Sequence, residues 1–343
     1  MEQKTKHIAV MRLSAMGDVA MTAPVIRALT SQNPQVKVTV VSRPFFKPFF
    51  DPIPNVAFFA IDTKKRHKGF LGLIRLFLDL RKLKIDFFAD LHNVLRSKVV
   101  RQLFGFIGKK VAAVDKGRDE KKALTRAENK RFVPLTPMVE RHVQVFQKLG
   151  FSIDLLNPSF PAPAILDPEV LKLVGEKNGQ KWIGIAPFAQ YSSKVYPLDL
   201  MQIVVDELSK IPNYKLFLFG GGATEIGLLN SISRNRENVI TVAGKIKFPQ
   251  ELQLISHLDD MLSMDSGNAH IAAMLGVNTI TLWGATHPFA GFAPFNQPLA
   301  NALTSDRTQF PKLPTSVYGN KRVAGYEQAM RSISPQDIIA KLS

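Results

Sequence analysis

The sequence predicts an α/β protein with two doubly wound parallel-sheet domains facing a central cleft, and three observations lead there. Apolar runs of strand length alternate with segments of helical apolar spacing. The alternation stops at a proline-rich stretch near the middle of the chain and restarts beyond it. At several strand-to-helix turns stand small, acidic or basic residues, at the carboxyl ends of strands where open parallel sheets collect their ligands.

Taken in order, residues 7–13 read as a buried strand and lead into the loop Ser14-Ala15-Met16-Gly17-Asp18. A helix follows, with Pro24 in its first turn, where a missing N–H costs nothing, and Val25, Ile26 and Leu29 on one apolar face. Residues 36–41 form the next strand and complete a βαβ unit, which implies a parallel sheet. The charged loop Lys64-Lys65-Arg66-His67-Lys68 precedes an apolar-rich helix over residues 71–84 that carries Arg75, Arg81 and Lys82. The loop reads as solvated and the helix as core, with a membrane-surface role as the alternative. Residues 86–91 are a further strand. From Lys116 to Arg131, dense charge of both signs and few apolar residues predict a mobile excursion.

The stretch Asn157-Pro158-Ser159-Phe160-Pro161-Ala162-Pro163 propagates neither helix nor central strand, so the boundary belongs there. This gives a first domain over residues 1–160, a second over 161–325, and a terminal helical segment over 326–343. In the second, strands at 182–187, 215–219, 239–242, 261–264 and 279–283 alternate with helices at 198–210, 225–232, 249–257 and after Gly267.

Composition narrows the function. With 45% apolar and 21% charged residues the chain is globular, and without cysteine it has no disulfide, thiolate nucleophile or zinc-thiolate site. The basic start from Lys4 to His7 precedes an apolar run interrupted too soon by Arg12 and Asp18 for a signal peptide, and no run approaches the ~18 apolar residues of a membrane span. A cytoplasmic protein is expected. Net charge is +17, and residues 1–160 hold 29 Lys+Arg against 13 Asp+Glu, while residues 161–343 hold 16 against 15. The first half is therefore expected to meet a polyanion: nucleic acid, phospholipid headgroups or a phosphorylated glycolipid. It has no RNP-like aromatic motif or zinc-finger spacing, which argues against nucleic acid.

Asp265-Ser266-Gly267 is the most informative turn. A buried strand breaks there into a helix whose first N–H groups and dipole favour an anionic or hydroxyl-rich ligand, and Asp265 can accept from sugar hydroxyls. An Asp-Ser pair capping the helix is the plainer alternative. Gly220-Gly221-Gly222 has the position of a phosphate-cradling loop without its spacing, and Glu225 beyond it can face a helix dipole or a ribose diol. Lys194, among hydroxyl residues at a strand's carboxyl end, is a phosphate partner or a solvated lysine. His270 lies near Asp265 on the following helix and reads as packed. Asp18, in a glycine-containing loop, is placed to take a proton from an attacking hydroxyl or to cap the next helix. No histidine spacing indicates a metal, and no cofactor is expected.

The string from Met11 to Pro24 together with Asp265-Ser266-Gly267-Asn268-Ala269-His270 resembles the two signature regions of the ADP-heptose:lipopolysaccharide heptosyltransferases, glycosyltransferase family nine. The resemblance is co-linear through Asp86, Asp90, Arg96 and Ser97, the Lys194 loop, residues 221–225 and residues 282–288. It implies a GT-B fold of two Rossmann-like domains, acceptor-binding first and nucleotide-sugar-binding second, with the last helix crossing back to the first. It also implies inverting, metal-independent transfer of heptose from ADP-heptose to a Kdo-lipid A type acceptor, by a peripheral enzyme at the cytoplasmic face of the inner membrane. By motif, Asp18 matches the general base, Lys194 the donor-phosphate contact, Glu225 the ribose-binding acid and Asp265 the residue holding the donor sugar. Ser266 and Gly267 match positions facing the diphosphate, and His270 is grouped with them. Ser14, Met16, Gly17 and Arg96 are the acceptor-side candidates. Another sugar in glycan assembly, or a nucleotide-sugar epimerase of the same fold, are the alternatives.

Overall fold

The computed structural model describes residues 5–321 and 323–343; Lys4, part of the basic start, lies outside the described residues. The chain divides into two compact units, residues 1–116 with 137–161 and residues 117–136 with 162–343.

The first unit runs β1 (Lys6–Met11), α1 (Met16–Ala20), α2 (Thr22–Gln32), β2 (Val36–Ser42), β3 (Val56–Ala60), α3 (Gly69–Arg81), β4 (Phe87–Asp90), α4 (Leu95–Phe106) and β5 (Lys110–Ala113). After α5 (Arg118–Thr125), which belongs to the second unit, it resumes with α6 (Met138–Leu149). All pairings are parallel, in the order β3-β2-β1-β4-β5. Central β1 is covered on both faces, so Ile8, Ala9, Val10 and Met11 are all buried, as a continuous apolar run requires. One core cluster gathers Met11, Val41 and Phe88 of the sheet with Leu76 and Leu80 of α3 and Val100 and Phe104 of α4.

The second unit runs α7 (Pro168–Val174), β6 (Lys181–Ala186), α8 (Leu198–Ser209), β7 (Tyr214–Leu218), α9 (Gly222–Ser233), β8 (Val239–Thr241), α10 (Phe248–Ile255), β9 (Asp260–Met264), α11 (Gly267–Met274), β10 (Asn278–Trp283), β11 (Ala302–Thr304) and α12 (Pro335–Leu342). Its six parallel strands lie in the order β11-β10-β9-β6-β7-β8, the doubly wound arrangement of dinucleotide-binding sheets. Among the described residues no helix is long and apolar enough to cross a membrane.

Two expectations are corrected. The charged stretch 116–131 is not a mobile excursion: α5 buries Leu124 completely and sets the Lys121 ammonium 4.1 Å from the centre of the Phe292 ring. Beyond it Lys130 Nζ donates to the Pro314 carbonyl at 2.7 Å, Arg307 stacks on Phe132, and the Leu135 N–H donates to the Phe289 carbonyl. A few well-spaced anchors, and cations used as packing groups, hold a segment that average composition describes as solvated. Residues 117–136 therefore leave the expected first domain and join the second unit.

The terminal helix, expected to cross back to the first unit, belongs to the second. Ile338 and Leu342 of α12, one turn apart, enter the second unit's core with Met201, Val204, Val205 and Leu208 of α8. Arg331 grips Asp199 through both oxygens at 2.8 and 2.9 Å, and Lys181 Nζ donates to the Leu342 carbonyl at 2.6 Å.

Candidate active site

In each sheet the first strand and the strand after its crossover run side by side, and the connections from them leave toward opposite edges. The loops beyond those two carboxyl ends part and leave room for a ligand. In the first unit this switch point lies between β1 and β4, in the second between β6 and β9. Most of the expected site residues lie on the connections that leave these two places, whereas Glu225 lies beyond β7.

After β1 the chain turns through Ser14 into α1, where Asp18 is the third residue. Asp18 Oδ2 accepts from the Ala15 N–H at 3.1 Å, so its carboxylate does close the helix start. The same oxygen also lies 2.5 Å from Arg12 Nη2. Arg12 is buried and fixed by two further bonds, Nε donating to the Ser14 carbonyl at 2.8 Å and Nη1 to the Leu91 carbonyl at 2.6 Å. The second of these ties the loop after β1 to the loop after β4. A desolvated guanidinium pays for its burial through several carbonyl and carboxylate partners, and here they fix the orientation of Asp18.

The other first-unit candidates lie on the connections after β1 and β4. Ser14 Oγ is 3.5 Å from His92 Nε2, Met16 and Gly17 open α1, and Arg96 is the second residue of α4 on the neighbouring connection. Burial, reinforced by Arg12 and Lys116, lowers the His92 pKa to about 3, so the imidazole is neutral. Asp90, at the end of β4, accepts from the N–H groups of His92 and Asn93 and pairs with Arg101 at 3.1 Å.

In the second unit Lys194 ends a helical turn (Ser192–Lys194) after β6, and Asp265 directly follows β9. Lys194 Nζ lies 2.9 Å from Asp265 Oδ2, and both side chains are largely buried. Ser266 does not cap α11: its Oγ turns instead to Ser263 Oγ at 3.1 Å and makes no hydrogen bond to the helix start. The plainer capping reading of this turn is thus not what the chain does. Gly267 is the first residue of α11, and His270 is buried one turn further on. Glu225, in the first turn of α9 beyond β7, turns back and accepts from the Gly221 N–H at 2.8 Å. Gly222 has φ +79°, a backbone state that glycine adopts without strain, so the glycine run is a true tight turn.

Sequence reasoning missed three contributors. Arg12 was noted only as the end of an apolar run, although a cation closing a buried strand is itself a signal, since burial demands a partner. His92 had no motif around it. Gly319, far along the chain, accepts through its carbonyl from Ser193 Oγ at 2.6 Å, and a Cβ there would collide with the Lys194 side chain.

Chemically, the first unit's cluster offers an oriented carboxylate, and the second unit's a cation beside a helix start, which suits a diphosphate. The profile of glycosyltransferase family 9 (heptosyltransferase) matches residues 73–321. Lipopolysaccharide heptosyltransferase 3 of Escherichia coli is 25% identical over 303 residues, covering 86% of this chain and 88% of that protein. Among solved structures, a family 9 glycosyl transferase from Veillonella parvula superposes with a TM-score of 0.74 at 19% identity, covering 99% of this chain and 97% of that one. The E. coli heptosyltransferase WaaC with ADP superposes with a TM-score of 0.68 at 14% identity, covering 98% and 100%. This chain belongs to glycosyltransferase family 9, the heptosyltransferases, and is a glycosyltransferase with the two parallel-sheet domains of the GT-B fold.

Proposed function

We propose that the protein transfers heptose from ADP-heptose to the inner core of lipopolysaccharide, on a Kdo-lipid A type acceptor, in one inverting displacement that needs no divalent metal. The second unit is read as the donor side and the first as the acceptor side. The observation that carries this reading is the Lys194–Asp265 ion pair at the β6/β9 switch point, beside an α11 start that the Ser266 side chain leaves uncapped. Support for the nucleotide comes from the E. coli relative solved with ADP, and for the acceptor from the E. coli lipopolysaccharide relative.

In this reading the acceptor hydroxyl gives its proton to the Asp18 carboxylate as its oxygen bonds to the anomeric carbon. The bond from that carbon to the β-phosphate oxygen breaks on the opposite face, and its electron pair leaves with ADP. Lys194 and the first N–H groups of α11 meet the charge growing on the diphosphate, the role a divalent ion fills elsewhere. Asp265 holds Lys194 in place and accepts from a donor-sugar hydroxyl, while Glu225 accepts from the ribose.

The test is a donor screen with ADP-, UDP- and GDP-sugars and a truncated core glycolipid, read by mass spectrometry with EDTA present. Heptosylated product with ADP release and inverted anomeric configuration is expected. Turnover only with another nucleotide, or only when metal is restored, refutes the proposal.

A further inference from the structure

We propose that a hollow between α5 and the segment 316–321 binds a phosphate monoester carried on a sugar. It is a second anion site, formed entirely within the second unit, and Lys194 and Asp265 are not among the residues that line it. The inference goes beyond the transfer reaction and does not depend on it.

The hollow has a volume of about 460 Å³, within the range of small-molecule sites. Helix α5 forms one wall. Arg118, Lys121, Lys122 and Thr125 line it at the i, i+3, i+4 and i+7 spacing of one helix face, and Arg126 follows directly after the helix. The acidic residues of α5 stand elsewhere: Glu120 lines a different depression with Arg131 and Thr136, and Asp119 lines neither. Lys321 adds a cation from the other wall, and among the described residues no carboxylate lines the hollow.

Such a stripe works against folding. Like charges three and four positions apart on a helix repel, and Arg118 stands in the first turn, where the helix dipole already presents positive charge. Among the described residues no carboxylate pairs with Arg118, Lys122, Arg126 or Lys321. A phosphate monoester brings up to about two negative charges and three acceptor oxygens to one point, so it answers several of these cations at once.

The opposite wall is built in advance. Ser316 Oγ accepts from the Tyr318 and Gly319 N–H groups at 3.3 and 2.9 Å and donates to Asn320 Oδ1 at 3.1 Å. These bonds hold the turn in shape and leave the Asn320 amide N–H groups without a partner among the described residues. Arg126 is fixed as well, its Nε donating to the Asn129 carbonyl at 2.6 Å. The Tyr318 ring is 54% exposed and its centroid lies 5.9 Å from that of Phe292. An exposed ring beside cations and an amide donor suits a phosphorylated sugar: its C–H groups pack on the ring, its hydroxyls meet the amide and its phosphate takes the cations. A bare phosphate ion leaves the ring and the amide unused.

Gly319 separates the hollow from the Lys194–Asp265 pair. Its carbonyl accepts from Ser193 Oγ and its α-carbon lies against the Lys194 stem, while Tyr318 and Asn320 on either side of it line the hollow. The same turn thus borders both places, and different cations serve each.

The full chain is titrated calorimetrically with glucose 6-phosphate, glucose and inorganic phosphate, each with and without ADP. Glucose 6-phosphate is expected to bind equally in both conditions, about tenfold more tightly than inorganic phosphate, and glucose to give no heat. Arg118→Gln with Lys122→Gln should weaken that binding about tenfold, and Lys321→Gln, on the other wall and outside any helix, about threefold. Lys172→Gln with Arg234→Gln removes the same charge from exposed positions elsewhere in the unit and should change nothing. Absence of glucose 6-phosphate binding, its displacement by ADP, equally tight inorganic phosphate, or an equal loss in the Lys172 and Arg234 variant overturns the proposal. Two sources of the ester are told apart by turnover of an acceptor glycolipid with and without phosphate on its sugars. Loss of kcat/KM in the Arg118 and Lys122 variant for the phosphorylated acceptor alone assigns the ester to the acceptor, and no loss with either assigns it to a free sugar phosphate. Equal loss with both overturns the proposal by placing these residues in the transfer itself. An unmodified protein that binds glucose 6-phosphate but transfers no sugar strikes the transferase reading and leaves this site standing.

Discussion

Lys194 Nζ and Asp265 Oδ2 lie 2.9 Å apart although 71 positions separate the two residues in the chain, because β6 and β9 are hydrogen-bonded neighbours at the switch point of their sheet. Two largely buried charges stabilise each other only as a pair, and either alone is left desolvated and unpaired.

Lys194→Ala and Asp265→Asn are therefore expected each to lower the unfolding free energy by about 3 kcal/mol. Lys194→Met combined with Asp265→Leu should recover most of that loss, since a buried pair exchanges for apolar groups at little cost. ADP binding should not return in the double variant. Urea denaturation and calorimetric titration with ADP separate the two effects; recovered ADP affinity would remove Lys194 from the donor site.

Asp18→Asn keeps the size of the side chain and removes its basicity. Turnover should fall by about 10²–10⁴, with ADP affinity changed less than about twofold. Preserved turnover would disqualify Asp18 as the base, and lost ADP affinity would move it to the donor side.

Gly319 has φ +86° and passes so close to the Lys194 stem that a Cβ would displace it. Gly319→Ala should cost about 1–2 kcal/mol of stability from the left-handed backbone alone. It should also raise the donor KM more than it lowers kcat, since the ammonium moves while Asp18 does not. Steady-state kinetics with varied donor tests this.

Glu251 in α10 has its pKa pushed up to about 7 by burial, from an ordinary value of 4.5. Below about pH 4.5 both folded and unfolded chains hold the proton, and the residue costs nothing. Between 4.5 and 7 the unfolded chain releases it first, so stability falls as pH rises, and the loss is complete above about 7. Glu251→Gln should match the parent protein at pH 4 and exceed it by about 3 kcal/mol at pH 8 in urea denaturation. An equal difference at both pH values would mean that the carboxyl titrates normally.

The central strands of both sheets were legible from the sequence because strands buried on two faces read as unbroken apolar runs, such as Ile8 to Met11. Three of the four edge strands were not: Val56–Ala60, Lys110–Ala113 and Ala302–Thr304 are short and half-buried, and nothing in their pattern separates them from loop. The candidate site was legible where its residues stand on strand-to-helix turns, at Asp18, Lys194 and Asp265. Arg12 and Gly319 escaped because their importance lies in what they touch, across turns and across 125 positions respectively, and local spacing carries no trace of such contacts. The stretch 116–131 reads as mobile because its anchors are sparse, and Phe292 and Arg307, the partners of Lys121 and of neighbouring Phe132, lie more than 150 residues onward.

That segment has a practical consequence for protein engineering. The polypeptide passes from one unit to the other at three places, near residues 116, 136 and 161, so no single cleavage separates two self-sufficient halves. A fragment ending at 160 would carry α5 as an orphan with Lys121 and Phe132 stripped of Phe292 and Arg307, while the remainder would lack the cover they provide. Chimeras that exchange the first unit among relatives should transplant 1–116 and 137–161 as one cassette and keep 117–136 with its native C-terminal scaffold.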